Sequence, residues 1–385
     1  MSDLEVLRLT DEDREGFARV RSMVYRGGQP TDPAENLVPP DGEGYVVRQD
    51  GQVAGALTAL DMTASKGVEH LRCAGIAAVG VLPECRRGGV GKALMRGTHR
   101  LLRDQGFLVA SLYAFREPFY RQFGYQVCGR VQRIACPADR LPRFERTLPV
   151  RQLRPEEFHL LRPVMELYCV VYAGGNRRND AQWSRFLGGD RPKTVYAAGD
   201  PIEAYCVIDM SGDFWVDLFV REFVSTSREG YEAILETFRG LAMNKNSITW
   251  LEPSDGPFFA RHLDHPVRVE LNKPIMFRIL DVPGALAKLH PGASGEVVLR
   301  VIDPDFPENE GPWLVEFEFG HVAVSQTDEE PDFELEIGAF TQAFFGEPSL
   351  REMARLGFVA FDHPEKLVAA DALLPPNPVV CWDTF

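Results

Sequence analysis

The residues from Val79 to Lys92, V-G-V-L-P-E-C-R-R-G-G-V-G-K, are the densest concentration of chemically useful groups in the chain. They join an apolar run to an amphipathic one through a turn with three glycines, and a lysine falls among the first residues of the second run. A helix start presents free backbone N–H groups and a positive dipole end, and glycines let a diphosphate approach the backbone closely. The stretch is therefore suited to hold pyrophosphate. It is not a P-loop, because G-K-[ST] is absent, and it lacks the G-x-G-x-x-G spacing of the dinucleotide fingerprint. A nucleotide carrier of another kind is implied, with a turn that serves only packing as the alternative.

The elements around it support the first reading. Residues 73–81 form a continuous apolar run, which predicts a strand buried on both faces. Residues 91–103 alternate apolar Ala93, Leu94, Leu101 and Leu102 with Lys92, Arg96, Arg100 and Arg103, the pattern of an amphipathic helix with a solvated basic side. Upstream, residues 4–9 read as a strand, Thr10 and Asp13 as a capping box, and Gln49-Asp50-Gly51 as a hairpin turn. Downstream, residues 107–115 read as a second buried strand and 118–123 as a short helix.

From about Leu148 the order begins again. A strand at 150–153 precedes a helix opened by Pro155 and running to about Val171; strands at 194–198 and 203–209 flank Gly199-Asp200-Pro201. Residues 215–220, 227–241 and 247–251 then repeat the strand, helix and strand of the first copy. Between Val301 and Phe340 there are twelve acids and no Lys or Arg, and alternation at 314–319 and 333–337 predicts antiparallel strands with an exposed acidic surface.

Arg86-x-x-Gly89-x-Gly91 resembles the pyrophosphate loop of the GCN5-related N-acetyltransferases (GNATs), which bind acetyl-CoA. Together with P-F-Y-R-Q-F-G-Y at 118–125, the length of the chain and its final phenylalanine, R-R-G-G-V-G-K-A-L-M resembles the enhanced-intracellular-survival (Eis) family over essentially the whole sequence. The resemblance implies an α+β protein with two tandem GNAT folds followed by a sterol-carrier-protein-like α/β domain. The expected domains are 1–147, binding acetyl-CoA; 148–274, a degenerate copy; and 275–385, which opens with Met276 to Leu289 and ends in a tail reaching the active site. It also implies direct acetyl transfer, without a metal, to an amine of a polycationic or aminoglycoside-like small molecule, and a homohexamer.

Carried over by position, Val79, Gly80 and Val81 correspond to the strand whose backbone pairs with pantetheine, and Arg87, Gly88, Gly89, Val90, Gly91 and Lys92 to the diphosphate loop. Phe115 and Arg116 stand where the family commonly has Ser-Glu against the cofactor. Tyr120 corresponds to the general acid that reprotonates the CoA thiolate, and the α-carboxylate of Phe385 to the base that takes a proton from the amine. The plain alternatives are a packing aromatic at Tyr120 and an idle chain end at Phe385. The second copy has Glu229 and Glu232 where the loop should be and Phe259 in place of the acid, so it is expected to be silent.

Composition bounds the rest. The 385 residues suffice for two or three domains, and 45% hydrophobic with 25% charged residues is the mix of packed globular chains. A net charge of −14 argues against nucleic acid and anionic membranes as partners. The acidic start lacks the features of a signal peptide, and no apolar run approaches the length of a membrane helix, so a cytoplasmic protein is expected. The seven cysteines include no C-x-x-C pair, and His262-x-x-His265 lacks further ligands, so neither a disulfide framework nor a zinc site is expected. Two other functions stay open at this level: a non-enzymatic CoA or lipid-binding protein, and a protein-lysine acetyltransferase.

Overall fold

The first segment folds as β1 (Leu4–Arg8), α1 (Arg14–Tyr25), β2 (Gly42–Gln49), β3 (Gln52–Lys66), β4 (Glu69–Val81), α2 (Val90–Asp104), β5 (Val109–Leu112), α3 (Glu117–Arg121), β6 (Gln126–Cys128) and β7 (Val131–Pro137). These elements come from a computed structural model that describes residues 4–35, 37–188, 193–210, 213, 215–273, 275–359, 365–383 and 385. Local chemistry accounts for their ends. Thr10 and Asp13 form the reciprocal capping box ahead of α1, and Asp50 and Gly51 both take positive φ in the turn between β2 and β3. In α2 the buried residues Val90, Leu94, Met95, Thr98 and Leu102 recur at helical spacing and face the sheet.

The second segment supplies β8 (Val150–Gln152), α4 (Arg162–Val171), α5 (Asp180–Leu187), β9 (Thr194–Ala198), β10 (Ala204–Asp209), β11 (Leu218–Ser225), α6 (Arg228–Leu241), β12 (Ser247–Pro253), α7 (Pro257–His262) and β13 (Arg268–Asn272). Two boundaries differ from the sequence expectation. Pro155 opens a separate 3₁₀ turn, Pro155–Leu161, ahead of α4. β11 starts at Leu218 because Trp215 is exposed and sits at a φ of 59°, outside the strand region.

The third segment supplies β14 (Ile275–Ile279), α8 (Val282–Leu286), β15 (Ser294–Ile302), β16 (Trp313–Glu318), β17 (His321–Gln326), β18 (Phe333–Glu336), α9 (Ile337–Phe345), α10 (Leu350–Arg355) and α11 (Lys366–Leu373). Its sheet runs β17-β16-β15-β18, and β18 pairs with β15 in parallel rather than antiparallel. Alternation reports that one face is buried; it carries no information on strand direction.

The two larger sheets are interleaved. The first runs β1-β2-β3-β4-β5-β14-β6 and the second β13-β7-β12-β11-β10-β9-β8. Each large sheet thus takes in a strand from another segment. β7 leaves the first segment to lie between β12 and β13, while β14 crosses back to lie between β5 and β6. Sheet membership therefore does not follow the expected boundaries at 147 and 274, and Met276 belongs to the first sheet. All five residues of β14 are buried, so the exchange joins the segments through core packing as well as backbone pairing.

The basic side of α2, expected to be solvated, docks on the third segment instead. Arg96 pairs with Asp305 at 2.8 Å, and Arg103 pairs with Glu308 at 3.1 Å and stacks over Phe306. Asp303, expected on the acidic surface, is fully buried. Both its carboxylate oxygens accept from Nη2 of the buried Arg278 of β14, at 2.9 and 3.0 Å. Asp303→Ala should lower unfolding free energy by about 3–5 kcal/mol, because a guanidinium would be left buried without its carboxylate. Denaturant unfolding measures this; a loss under about 1 kcal/mol would mean the Phe123 carbonyl, which also accepts from Arg278, suffices alone.

Candidate active site

Strands β4 and β5 pair in parallel only from Cys73 to Gly75, against Val109 to Ser111, and then diverge. A bulge reinforces the divergence. Ala78 takes a φ of 52°, and the register against β3 slips between Ala56 and Thr58, so two residues of β4 oppose one of β3. The N–H of Leu82 donates to the Ala54 carbonyl on the β3 side. By alternation Val79 and Val81 turn their backbone groups toward the open side. There the Tyr25 hydroxyl donates to the Val79 carbonyl at 2.7 Å, and Arg86 Nε donates to the Val81 carbonyl at 3.2 Å.

The turn after β4 leads into α2 as its glycines require. Arg87 and Gly89 both have positive φ, 68° and 84°, and Gly89 occupies the N-cap position without a side-chain cap. No acidic residue lies in the first turn of α2, so the N–H groups of Val90, Gly91 and Lys92 lack side-chain acceptors. Phe119 closes over this turn, and a Cβ at Gly91 would stand in van der Waals contact with its ring, at 3.4 Å. The equivalent start of α6 is built differently. Ser227 caps it by accepting from the Gly230 N–H at 3.0 Å, and Glu229 occupies its first turn.

The strand edge and the helix start line one groove of about 720 Å³. Val79, Gly80, Val81, Arg87, Gly89, Val90, Gly91, Lys92, Phe115 and Arg116 all border it; Gly88 stands exposed beside it. Four cations, Arg86, Arg87, Lys92 and Arg116, face the groove with no carboxylate among its lining residues. None of the four has a carboxylate partner among the described residues, in a chain of net charge −14. Unpaired cations, helix N–H groups and an open strand edge together fit an extended ligand with a phosphorylated end. Arg116 contributes a cation where the family's Ser-Glu would not.

Tyr120 is buried, with the edges of Phe115 and Phe119 at centroid distances of 5.8 and 5.1 Å. Its hydroxyl has no hydrogen-bond partner among the described residues. Burial pushes its pKa above the ordinary phenol value, with Tyr25 acting in the same direction, so Tyr120 keeps its proton through the neutral range. The chain end is docked. Val380 N donates to the Ala173 carbonyl, Val379 N to Glu347, and Trp382 packs within the second-segment core. Asp383 receives Arg178 Nε at 2.7 Å, while the same guanidinium makes two hydrogen bonds to the buried Glu222. The Phe385 ring meets Tyr113 edge-on at 5.3 Å and covers Gly75 of β4, where the strands part. No hydrogen bond links Phe385 to Tyr120 among the described residues.

Val24, Tyr25 and Phe119 also border the groove, and the sequence reading did not assign them there; Arg86, which opens the R-x-x-G-x-G pattern, borders it as well. Val24 and Tyr25 close the apolar stripe of α1, so the only available signal was a hydroxyl-bearing aromatic at a helix end. All seven cysteines are free thiols; Cys73, the one nearest the strand divergence along β4, is buried, which pushes its thiol up to about 12 and makes it a poor nucleophile. Among the described residues no group of three or more His, Cys, Asp or Glu is placed to hold a metal ion. No helix there is long and apolar enough to cross a membrane.

Residues 5–128 match the acetyltransferase (GNAT) domain family, and residues 282–382 match the sterol carrier protein domain family. Fold and groove thus define a tandem GNAT protein with a C-terminal sterol-carrier-protein-like domain. N-acetyltransferase Eis of Mycobacterium tuberculosis is 30% identical over 193 residues, covering 44% of this chain and 47% of that protein, and its Mycobacterium bovis counterpart gives the same figures. The chain therefore spans about half the length of the curated relatives it matches. Among solved structures, a GCN5-related N-acetyltransferase from Anabaena variabilis superimposes with a TM-score of 0.87 at 19% identity, covering 100% of both chains. Eis1 from Mycobacterium abscessus gives 0.79 at 21%, again over 100% of both, a likeness of fold. The chain carries a GNAT acetyltransferase domain and a sterol carrier protein domain and is similar to the Eis N-acetyltransferases.

Proposed function

We propose that this chain transfers an acetyl group directly from acetyl-CoA to an amine of a small molecule. The observation that carries the reading is the groove in which four unpaired cations and the uncapped start of α2 meet the open edge of β4. Acetyl-CoA supplies a thioester whose carbonyl carbon bonds to the amine nitrogen as the carbon–sulfur bond breaks. The backbone of Val79 and Val81 holds the pantetheine, and Arg87 to Lys92 hold the diphosphate. Phe115 and Arg116 border the same path. A free N–H on this edge polarises the carbonyl. Tyr120 gives its proton to the departing sulfur, and the α-carboxylate of Phe385 accepts one from the attacking nitrogen. The family likeness would add a hexameric assembly and a polycationic or aminoglycoside-like acceptor, and the second of these is what the cavity described below argues against.

Release of free CoA thiol across a panel of polyamines, aminoglycosides and arylalkylamines, with product mass spectrometry, tests the reading. If the protein turns over none of them, a CoA- or lipid-binding role replaces it. The pH dependence of kcat carries a signed expectation. A group whose pKa is raised holds its proton to higher pH, so the rate should show no alkaline decline from Tyr120 below about pH 10. An alkaline limb near pH 8 to 9 that disappears in Tyr120→Phe would contradict it.

A further inference from the structure

A second cavity, of about 510 Å³, shares Tyr113 and the chain tail with the centre just described. Its walls are the rings of Tyr113, Phe186, Phe219 and Trp382; Arg221 and Lys273 stand among its lining residues, and no Asp or Glu does. The rings are held in place. Arg178, fixed by Glu222 and Asp383, lies 3.9 Å from the Phe186 ring centroid, and Tyr113 donates its hydroxyl hydrogen to the tail backbone at Asp383. Phe219 and Arg221 of β11 meet there, with the guanidinium carbon 5.3 Å from the ring centroid. Lys273 pairs with Glu117 at 2.6 Å, and Glu117 opens the helix that carries Tyr120.

The cavity is also joined to the reaction centre along the chain. Tyr113 meets Phe385, two residues further Phe115 borders the acetyl-CoA groove, and Phe115 in turn meets Tyr120. Its volume suits a small molecule. Aromatic walls favour a flat apolar body, and two cations without a lining carboxylate disfavour a polycation while favouring an anionic group. Arg221 gives Nε to Asp209 and Lys273 is paired with Glu117, and each keeps further N–H donors for a ligand.

We infer that this cavity is the acceptor subsite and that it takes an amine with an aromatic body and a carboxylate at the end remote from the nitrogen. The inference rests on the acetyl transfer proposed above. The amine lies toward Tyr113 and the thioester; the carboxylate lies toward Arg221 and Lys273.

The test compares 4-(aminomethyl)benzoate, benzylamine and spermidine as acceptors for the wild-type chain, Arg221→Gln, Lys273→Gln and Phe219→Ala, with melting temperature followed throughout. The expected kcat/KM order for wild type is aminomethylbenzoate, benzylamine, spermidine. Arg221→Gln and Lys273→Gln should each shrink the advantage of the carboxylate over benzylamine roughly tenfold, the effect of losing one ionic hydrogen bond, and mainly through KM. Phe219→Ala should weaken both aryl substrates together. General misfolding would lower all three acceptors alike. Preference for spermidine, or no advantage from the carboxylate, overturns the acceptor class while acetyl transfer stands. If no amine is turned over, the enzyme reading fails; calorimetric titration of 4-(aminomethyl)benzoate then decides the cavity, with binding that Arg221→Gln weakens supporting it and no binding overturning it.

Discussion

Gly88→Glu should weaken acetyl-CoA binding at least about a hundredfold while leaving the melting temperature nearly unchanged. The position separates charge from fold. A Cβ at Gly88 would meet only the Cys85 carbonyl, at 3.8 Å, and Gly88 lacks the positive φ of its neighbours, so a side chain enters without clash or strain. Gly89 is the poorer choice, because its φ of 84° would strain any side chain and mix a folding defect into the result. A carboxylate at 88 would face a diphosphate among Arg86, Arg87 and Lys92. Repulsion of like charges a few ångströms apart at partial exposure is of the order of the roughly 2.7 kcal/mol that a hundredfold loss requires. Gly88→Ala, which adds the carbon without the charge, should bind normally. Glu229→Gln at the self-capped start of α6 should also leave affinity unchanged, since Ser227 already occupies that helix end. The residue Gly230 would make a poor control: a Cβ there would lie 2.8 Å from that of Ala204. Calorimetry with unchanged affinity in Gly88→Glu would remove the diphosphate assignment.

The part of this site that was legible in sequence is the part built from contiguous residues. Three glycines between an apolar run and an amphipathic run give the strand, turn and helix directly, and the same comparison at Ser227 and Glu229 shows a helix start that caps itself. What escaped depends on pairing between distant residues. Ile275 to Ile279 is a five-residue apolar run with one arginine, and nothing in it names Val109 to Leu112 and Gln126 to Cys128 as its neighbours. Arg278 looks misplaced in such a strand until Asp303, twenty-five positions away, is found beside it. Arg96 and Arg103 follow the spacing of a solvated helix face equally well whether water or Asp305 and Glu308 lie opposite. Tyr25 is a further case: its reach to the Val79 carbonyl depends on how α1 crosses β4, which helical periodicity does not encode.

Tyr120→Phe should lower kcat by roughly 10² or more with acetyl-CoA affinity and thermal stability preserved. The prediction is sharp because the Tyr120 hydroxyl makes no hydrogen bond among the described residues, so its removal costs the fold little and keeps the ring contacts with Phe115 and Phe119. A purely packing role for Tyr120 predicts an unchanged rate; a structural role for the hydroxyl predicts a lower melting temperature. The proton acceptor requires a separate change. One glycine appended after Phe385 leaves the Phe385 ring against Gly75 and Tyr113 and Asp383 on Arg178, yet moves the terminal carboxylate by about 3.5 Å. Misplacement on that scale is enough to disable proton abstraction, so kcat should fall steeply at constant acetyl-CoA affinity. The two changes then need to be combined. If acid and base act in one transfer step, the double variant should lose little more than the worse single one; losses that multiply would assign them to separate steps. Wild-type kcat and pH dependence in the extended chain would remove the Phe385 carboxylate from the reaction and require a water or another acidic group to take the proton from the amine.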